Sequence, residues 1–224
     1  MNKILVALVL LFSLLGQGAA AHLALAAGLS PVEVAKQVQA AYAATKTLKA
    51  DFEQTTSNQA NGRDRRGSGS VLLAKPGLMR WDYQTPETQV FVCDGKTISM
   101  YFAKEKQMMV SPAKGYLDSD VTYAFFAGTG DILRDFTVTG PEVEDLLHPA
   151  ASYELKLVPK QSHPQIDFIN LWVDRQHFLM QRLKVTDKFG TVTDLVFSHL
   201  LINQGVSNSA FHFTPPQGTE IIDK

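Results

Sequence analysis

Residues 67–96 read GSGSVLLAKPGLMRWDYQTPETQVFVCDGK, and the alternation within this stretch decides the fold class. Residues 70–74 form a strand that runs into Lys75-Pro76-Gly77, where proline presets a turn and glycine accepts positive φ. Residues 78–83 then alternate, with Met79, Trp81 and Tyr83 on one face and Leu78, Arg80 and Asp82 on the other. Pro86 ends that strand and residues 89–93 make the next. Asp94-Gly95 is a strong hairpin signal before residues 96–102. Short strands joined by tight turns predict an antiparallel sheet with one aromatic face. No catalytic group is presented.

Upstream, Ser30-Pro31-Val32-Glu33 opens a helix: serine caps, proline suits the first helical position and glutamate completes a capping box. Val34, Val38, Ala41, Tyr42 and Thr45 follow at helical spacing, opposite Lys36, Gln37 and Gln39. The apolar face predicts packing on the sheet. Residues 48–57 form the first strand. In the polar connection that follows, Arg63, Arg65 and Arg66 surround Asp64 between glycines, which reads as a solvated hairpin loop rather than an anion site.

Downstream, residues 107–110 close this group of strands and the pattern changes from Ser111. Asp118-Ser119-Asp120 caps a helix running to Ala127 and ended by Gly128, with Val121, Tyr123, Phe125 and Phe126 among its side chains. Asp131 caps a second turn that holds Ile132, Leu133 and Phe136. Helices this apolar read equally as a cover packed on the end of a barrel or as a lid over an apolar interior. Four further strands follow, at Ser152–Pro159, 165–173, 178–187 and 191–200, with tight turns that make a meander. Ile166 and Phe168 share one phase while Leu171 and Val173 take the other, which predicts a bulge near Ile169-Asn170. A last strand at 210–214 ends at Pro215-Pro216.

The composition is that of a globular protein: 45% hydrophobic and 19% charged residues in 224. A formal net charge of −1 argues against nucleic acid, which needs a concentrated basic surface. Lys3, an apolar run over residues 4–15 and small residues up to Ala27 make residues 1–26 a secretory signal peptide, cleaved between Ala21 and Ala26. The run is shorter than the ~20 residues a membrane span needs. No cysteine stands at the cleavage region, so the expected product is a soluble, unlipidated periplasmic protein, one domain over residues 27–224. The single Cys93 lies in an apolar run and reads as a buried, inert thiol.

No catalytic, cofactor or metal site is predicted. His148, His163, His177, His199 and His212 have no metal-ligand spacing, and no nucleophile elbow, phosphate loop or dinucleotide fingerprint is present. Acidic pairs such as Asp118/Asp120 and Glu142/Glu144 fall in cap or loop positions. The apolar surplus has two uses. A curved sheet can fill its inner face with side chains or leave a cavity for an apolar ligand, and Met79, Trp81, Phe91, Tyr101 and Trp172 suit either.

The motif G-x-G-x-x-x-x-x-K-P-x-x-x-R-W-x-Y-x-x-P over residues 67–86, followed by Asp94-Gly95-Lys96, resembles the periplasmic outer-membrane lipoprotein carrier family (LolA). So do Leu48-x-Ala50-x-Phe52-x-Gln54, the segment from Tyr101 to Gln107, and Phe211-x-Phe213-x-Pro215-Pro216-x-Gly218. Together they span most of residues 30–224. The resemblance implies an incomplete, curved antiparallel β-barrel of roughly eleven strands with a few helices, a mainly β member of the α+β class, covered by a helical lid. It implies a non-enzymatic monomer that holds lipoprotein acyl chains in an apolar cavity. That carrier takes cargo from an inner-membrane ABC-type lipoprotein-releasing complex and gives it to an outer-membrane receptor. On this reading Met79, Trp81, Phe91, Tyr101 and Trp172 line the cavity or its mouth, and Val121, Phe125, Phe126 and Leu133 belong to the lid. Two positions depart from the family pattern. Lys75 stands where the family often has an arginine that latches the lid, and lysine lacks arginine's planar set of donors. Ala103 stands where a proline is expected. A carrier of another exported lipid, a lipid-sensing regulatory domain and an enzyme of apolar substrates are the rival readings.

Overall fold

The computed structural model describes residues 28–58, 62, 64–114, 130–141 and 151–223. The signal peptide expected at residues 1–26 lies outside them, as does the helix expected at 118–127. Helix α1 (Pro31–Ala44) starts as its capping box requires. The Ser30 hydroxyl oxygen accepts from the Glu33 backbone at 3.3 Å, and the Glu33 carboxylate accepts from the Ser30 backbone at 2.8 Å. Two groups otherwise orphaned at the helix start are thereby satisfied. Val34, Ala35, Val38 and Tyr42 are its buried face; Ala35 is buried and Ala41 only half-buried, so the stripe is rotated slightly from the expected one.

Twelve strands follow among the described residues. They are β1 (Thr47–Asn58), β2 (Arg65–Ala74), β3 (Leu78–Thr85), β4 (Gln89–Asp94), β5 (Thr97–Phe102) and β6 (Gln107–Pro112). After helix α2 (Ile132–Asp135) come β7 (Phe136–Thr139), β8 (Ser152–Pro159), β9 (Phe168–Asp174), β10 (Met180–Thr186), β11 (Thr191–Ile202) and β12 (Glu220–Asp223). They form one open, curved sheet in the order β12-β6-β5-β4-β3-β2-β1-β11-β10-β9-β8-β7. β1 to β6 form one meander, with β12 added at its edge, and β7 to β11 form the other. The two join where β1 pairs with β11 in antiparallel register from Leu48↔Ile202 to Asn58↔Thr191. The turns are local in origin: the Asp94 carboxylate accepts from the backbones of Lys96 and Thr97, both at 2.8 Å, and Gly95 has φ +89°.

Several expectations are corrected. β2 begins at Arg65, so Arg65 and Arg66 stand in a strand and not in the expected loop, and Phe136 opens β7 instead of belonging to the turn capped by Asp131. β9 begins at Phe168, so Ile166 is buried ahead of the strand, and Ile169, Leu171 and Val173 keep one phase with no bulge at Ile169-Asn170. The irregularity lies instead on the partner, between Met180 and Arg182. Residues 210–214 are not a strand. A 3-10 turn (Asn208–Phe211) capped by Ser207 replaces it, and the chain then lays Phe211 and Phe213 on the sheet. The true last strand is β12, which pairs in parallel with β6 and takes the place of the one expected at 210–214. β7, at residues 136–139, brings the number to twelve.

Period-two alternation gives the sheet two unlike faces. The inner face buries Phe52, Val71, Met79, Cys93, Ile98, Leu155, Leu171, Leu183 and Phe197 in one cluster with α1. On the outer face of β4–β6, Val90, Val92, Tyr101 and Met108 pack under Phe211. Tyr42 ties α1 to both halves of the sheet, its hydroxyl accepting from the Met180 backbone at 3.3 Å and its carbonyl from the Lys75 ammonium.

Candidate functional site

The inner face carries a chain of rings. β1 supplies Phe52, β3 supplies Trp81 and Tyr83, and β11 supplies Phe197. Phe52 meets Trp81 edge-on at 4.9 Å and Tyr83 at 4.8 Å, and Trp81 meets Phe197 at 6.2 Å. β1 and β3 are not neighbours, because β2 runs between them. The rings touch because Gly69 is the cross-strand partner of both Phe52 and Tyr83 and has no side chain to separate them. Phe91 and Met100, paired across β4 and β5, extend the apolar surface as half-buried groups. Cys93 is fully buried beside them, and burial pushes its thiol up, away from the reactive thiolate.

Met79, Trp81 and Phe91 therefore share the inner face, while Tyr101 and Trp172 stand on the other one. Tyr101 pairs with Val90 and packs on Phe213 at 5.1 Å. Trp172 alternates with the inward Leu171 and Val173, and its ring lies under the Arg182 guanidinium at 4.8 Å, with the Lys184 ammonium at 5.8 Å. An aromatic residue's suitability for a cavity is chemical, but its face is decided by strand parity. Tyr83, already phased with Met79 and Trp81, belongs to the inner surface, and Phe52, Met100 and Phe197 belong there too but were missed. Alternation from Trp81 to Tyr83, and from Leu48 through Phe52, carried the signal for two of them.

Of the lid residues, Val121, Phe125 and Phe126 lie outside the described residues. Leu133 sits in α2 and packs half-buried against the inner cluster. The Asp131 carboxylate caps α2 by accepting from the Arg134 backbone at 2.9 Å. The Gln39 side-chain amide holds the same segment to α1, donating to the Gly130 carbonyl at 3.2 Å and accepting from the Ile132 backbone at 3.1 Å. Lys75 donates to the carbonyl of Tyr42 and, at 3.4 Å, to that of Ala43, at the C-terminal end of α1 where a cation complements the helix dipole. Burial lowers its pKa. Lys75→Met is expected to cost about 1 kcal/mol, the contact being partly solvated. Thermal unfolding should then fall by roughly 2–4 °C. An unchanged midpoint would mean that the ammonium does not hold the helix.

A concavity of about 610 Å³ lies on the outer face between β1–β3 and residues 204–210. Leu72, Leu201 and Val206 border it, but Arg80 at its edge is already engaged. That side chain donates to both Asp82 carboxylate oxygens, at 2.7 and 2.9 Å, and to the Ala210 carbonyl at 2.9 Å. This arrangement pins the C-terminal segment to the sheet. Among the described residues, no group of three His, Cys, Asp or Glu side chains is placed to hold a metal ion, and no helix is long and apolar enough to cross a membrane.

The family model described as "Outer membrane lipoprotein carrier protein LolA" matches residues 43–214. An outer-membrane lipoprotein carrier protein of Chromobacterium violaceum is 32% identical over 203 residues, covering 89% of this chain and 93% of that protein. One of Nitrosomonas europaea is 31% identical over 176 residues, covering 79% and 82%. An uncharacterized conserved protein from Thermus thermophilus, of known crystal structure, superposes with a TM-score of 0.55 at 12% identity, over 86% of this chain and 98% of that one. That last likeness is one of fold alone.

Proposed function

The chain belongs to the outer-membrane lipoprotein carrier protein family, and from that premise we propose that it ferries lipoproteins through the periplasm with their acyl chains against the inner face of the sheet. The observation that carries the reading is the half-buried rim of that face. Phe91, Met100, Tyr83 and Val185 are apolar or aromatic, adjoin the buried cluster and keep surface to offer. A carrier has a plain physical task. Each methylene kept from water is worth about 0.8 kcal/mol, so a multiply acylated anchor does not cross an aqueous space unshielded. No bond is made or broken, and binding and release are the whole of the work.

The finer parts of the proposal rest on family resemblance. The leader at residues 1–26 directs a single carrier domain over 27–224 to the periplasm, where it acts as a monomer. Its donor is an inner-membrane ABC-type lipoprotein-releasing complex and its acceptor an outer-membrane receptor. A lid formed by the segment holding Val121, Phe125, Phe126 and Leu133 closes over the inner face when cargo leaves, so that lid side chains replace acyl chains there.

Mass spectrometry of the protein purified from periplasm tests the reading. Intact acylated lipoprotein, in about equimolar amount, is the expected companion. Phospholipid or free fatty acid alone would make it a carrier of another exported lipid, and a co-purified regulatory protein would make it a sensor.

A further inference from the structure

The concavity of about 610 Å³ on the outer face has a built floor and a built wall. The floor is a cross-strand row. Leu201 on β11, Lys49 on β1, Leu72 on β2 and Arg80 on β3 are successive partners and so share a face. The wall is the strap of chain over residues 204–210, which brings Val206 to the groove. That strap is tied at both ends. The Thr47 hydroxyl donates to the Gln204 carbonyl at 2.8 Å, and the Arg80 guanidinium donates to the Ala210 carbonyl at 2.9 Å. A ligand therefore meets a preformed site. Leu72 and Val206 are half-buried, and Leu201 is 51% exposed beside them.

The charges around the groove are nearly all committed. Arg80 is held by both Asp82 carboxylate oxygens. Asp51, the next outward residue on β1, has the His199 Nδ1 at 2.8 Å. Lys49, placed between Leu201 and Leu72, makes no ion pair among the described residues. A peptide suits this groove poorly. The floor's backbone is used in the strand ladders, and the carbonyls of Gln204, Ser207 and Ala210 already accept hydrogen bonds, so a peptide's amides would go unpaired. A hydrocarbon chain asks for no such partners, and one negative charge at its end is what one ammonium complements. The volume suits a drug-sized ligand, which one acyl chain matches and a diacyl lipid exceeds.

We propose that the outer groove binds one molecule of long-chain fatty acid, with its chain along Leu72, Leu201 and Val206 and its carboxylate on Lys49. The groove lies across the sheet from the surface assigned to lipoprotein, so free fatty acid occupies it without displacing cargo. The site does not depend on what the inner face carries.

Photoreactive palmitate, with a diazirine at the chain end, and its methyl ester test this when their cross-links to the purified protein are mapped by mass spectrometry. The acid is expected to mark the peptides that hold Leu72 and residues 201–206. Lys49→Gln should cut that yield about fivefold, the effect of one lost, partly solvated ion pair, and leave the ester's yield unchanged. Leu201→Gln should cut both yields about fivefold. Both side chains are exposed, so neither change should unfold the protein, and melts of each variant check this. Equal yields from acid and ester, or no effect of Lys49→Gln, overturn the inference. So does a concentration-dependent dimer that Leu201→Gln abolishes, which gives the groove to a second copy. Marks confined to the peptide that holds Phe91 overturn it and leave the carrier reading in place. Marks confined to the groove uphold it and count against that reading.

Discussion

Gly69→Ala is expected to destabilise the protein by about 3 kcal/mol and to lower its thermal midpoint by roughly 6–12 °C. A methyl group built on Gly69 would sit 1.9 Å from the Asp82 carbonyl oxygen and 2.8 Å from its carbon. Those are backbone atoms of the paired strand, so relief requires β2 and β3 to part, where a flexible side chain would merely have swung away. The register shift between Ser68 and Gly69 is the local sign of how closely the strands approach. Parting them would also separate Phe52 from Tyr83. Gly67→Ala is the control. Its added carbon meets the Thr85 carbonyl at 3.2 Å and the Tyr83 ring at 3.4 Å, contacts that a shift of a few tenths of an ångström relieves. Its midpoint should fall by no more than a third as much. Circular dichroism melts of both variants decide the matter, and equal midpoints would contradict the account.

Phe91→Glu is expected to weaken acyl-chain binding more than 100-fold in a protein that still folds. Phe91 is half-buried beside Met100 on the inner face, so a glutamate there stays hydrated while the site is empty. Once acyl chains cover it, the carboxylate must be buried without a partner, at a cost of several kcal/mol. Val196→Glu supplies the comparison. Val196 is 44% exposed on the outer face, opposite Arg182, and should leave binding unaltered. Fluorescence titration with an apolar probe, alongside melts of both variants, reads the difference. Equal affinities in folded proteins would remove Phe91 from the site.

What the sequence revealed was what short range decides. The turns at Lys75-Pro76-Gly77, Pro86 and Asp94-Gly95 placed the end of β2 and both ends of β3 to β5 within a few residues, and the Ser30–Glu33 box placed the start of α1, because each is satisfied by neighbours in the chain. The start of β2 at Arg65, set by pairing with β1, was missed by five residues. Long-range pairing was invisible. β12 exists because Ile221 and Ile222 find Met108 and Met109, more than a hundred residues away, and two isoleucines flanked by acids carry no period of their own. The site was half legible for the same reason. Met79, Trp81 and Tyr83 were phased by one strand's alternation, but Tyr101 and Trp172 were grouped with them by residue type. Carrying the phase of Phe91 across the hairpin would have chosen Met100 over Tyr101, since register pairs those two. On β9, Leu171 and Val173 already excluded Trp172 from the buried phase.

The central claim, that cargo lies on the inner face, is tested most directly by site-specific photo-cross-linking in living cells. A photoreactive residue at position 91 faces the proposed acyl chains, and one at position 196 faces solvent on the other side of the sheet. Adducts with acylated lipoproteins from position 91, and none from position 196, are the predicted result. Lipoprotein captured from position 196 but not from position 91 would place the cargo outside and contradict the account.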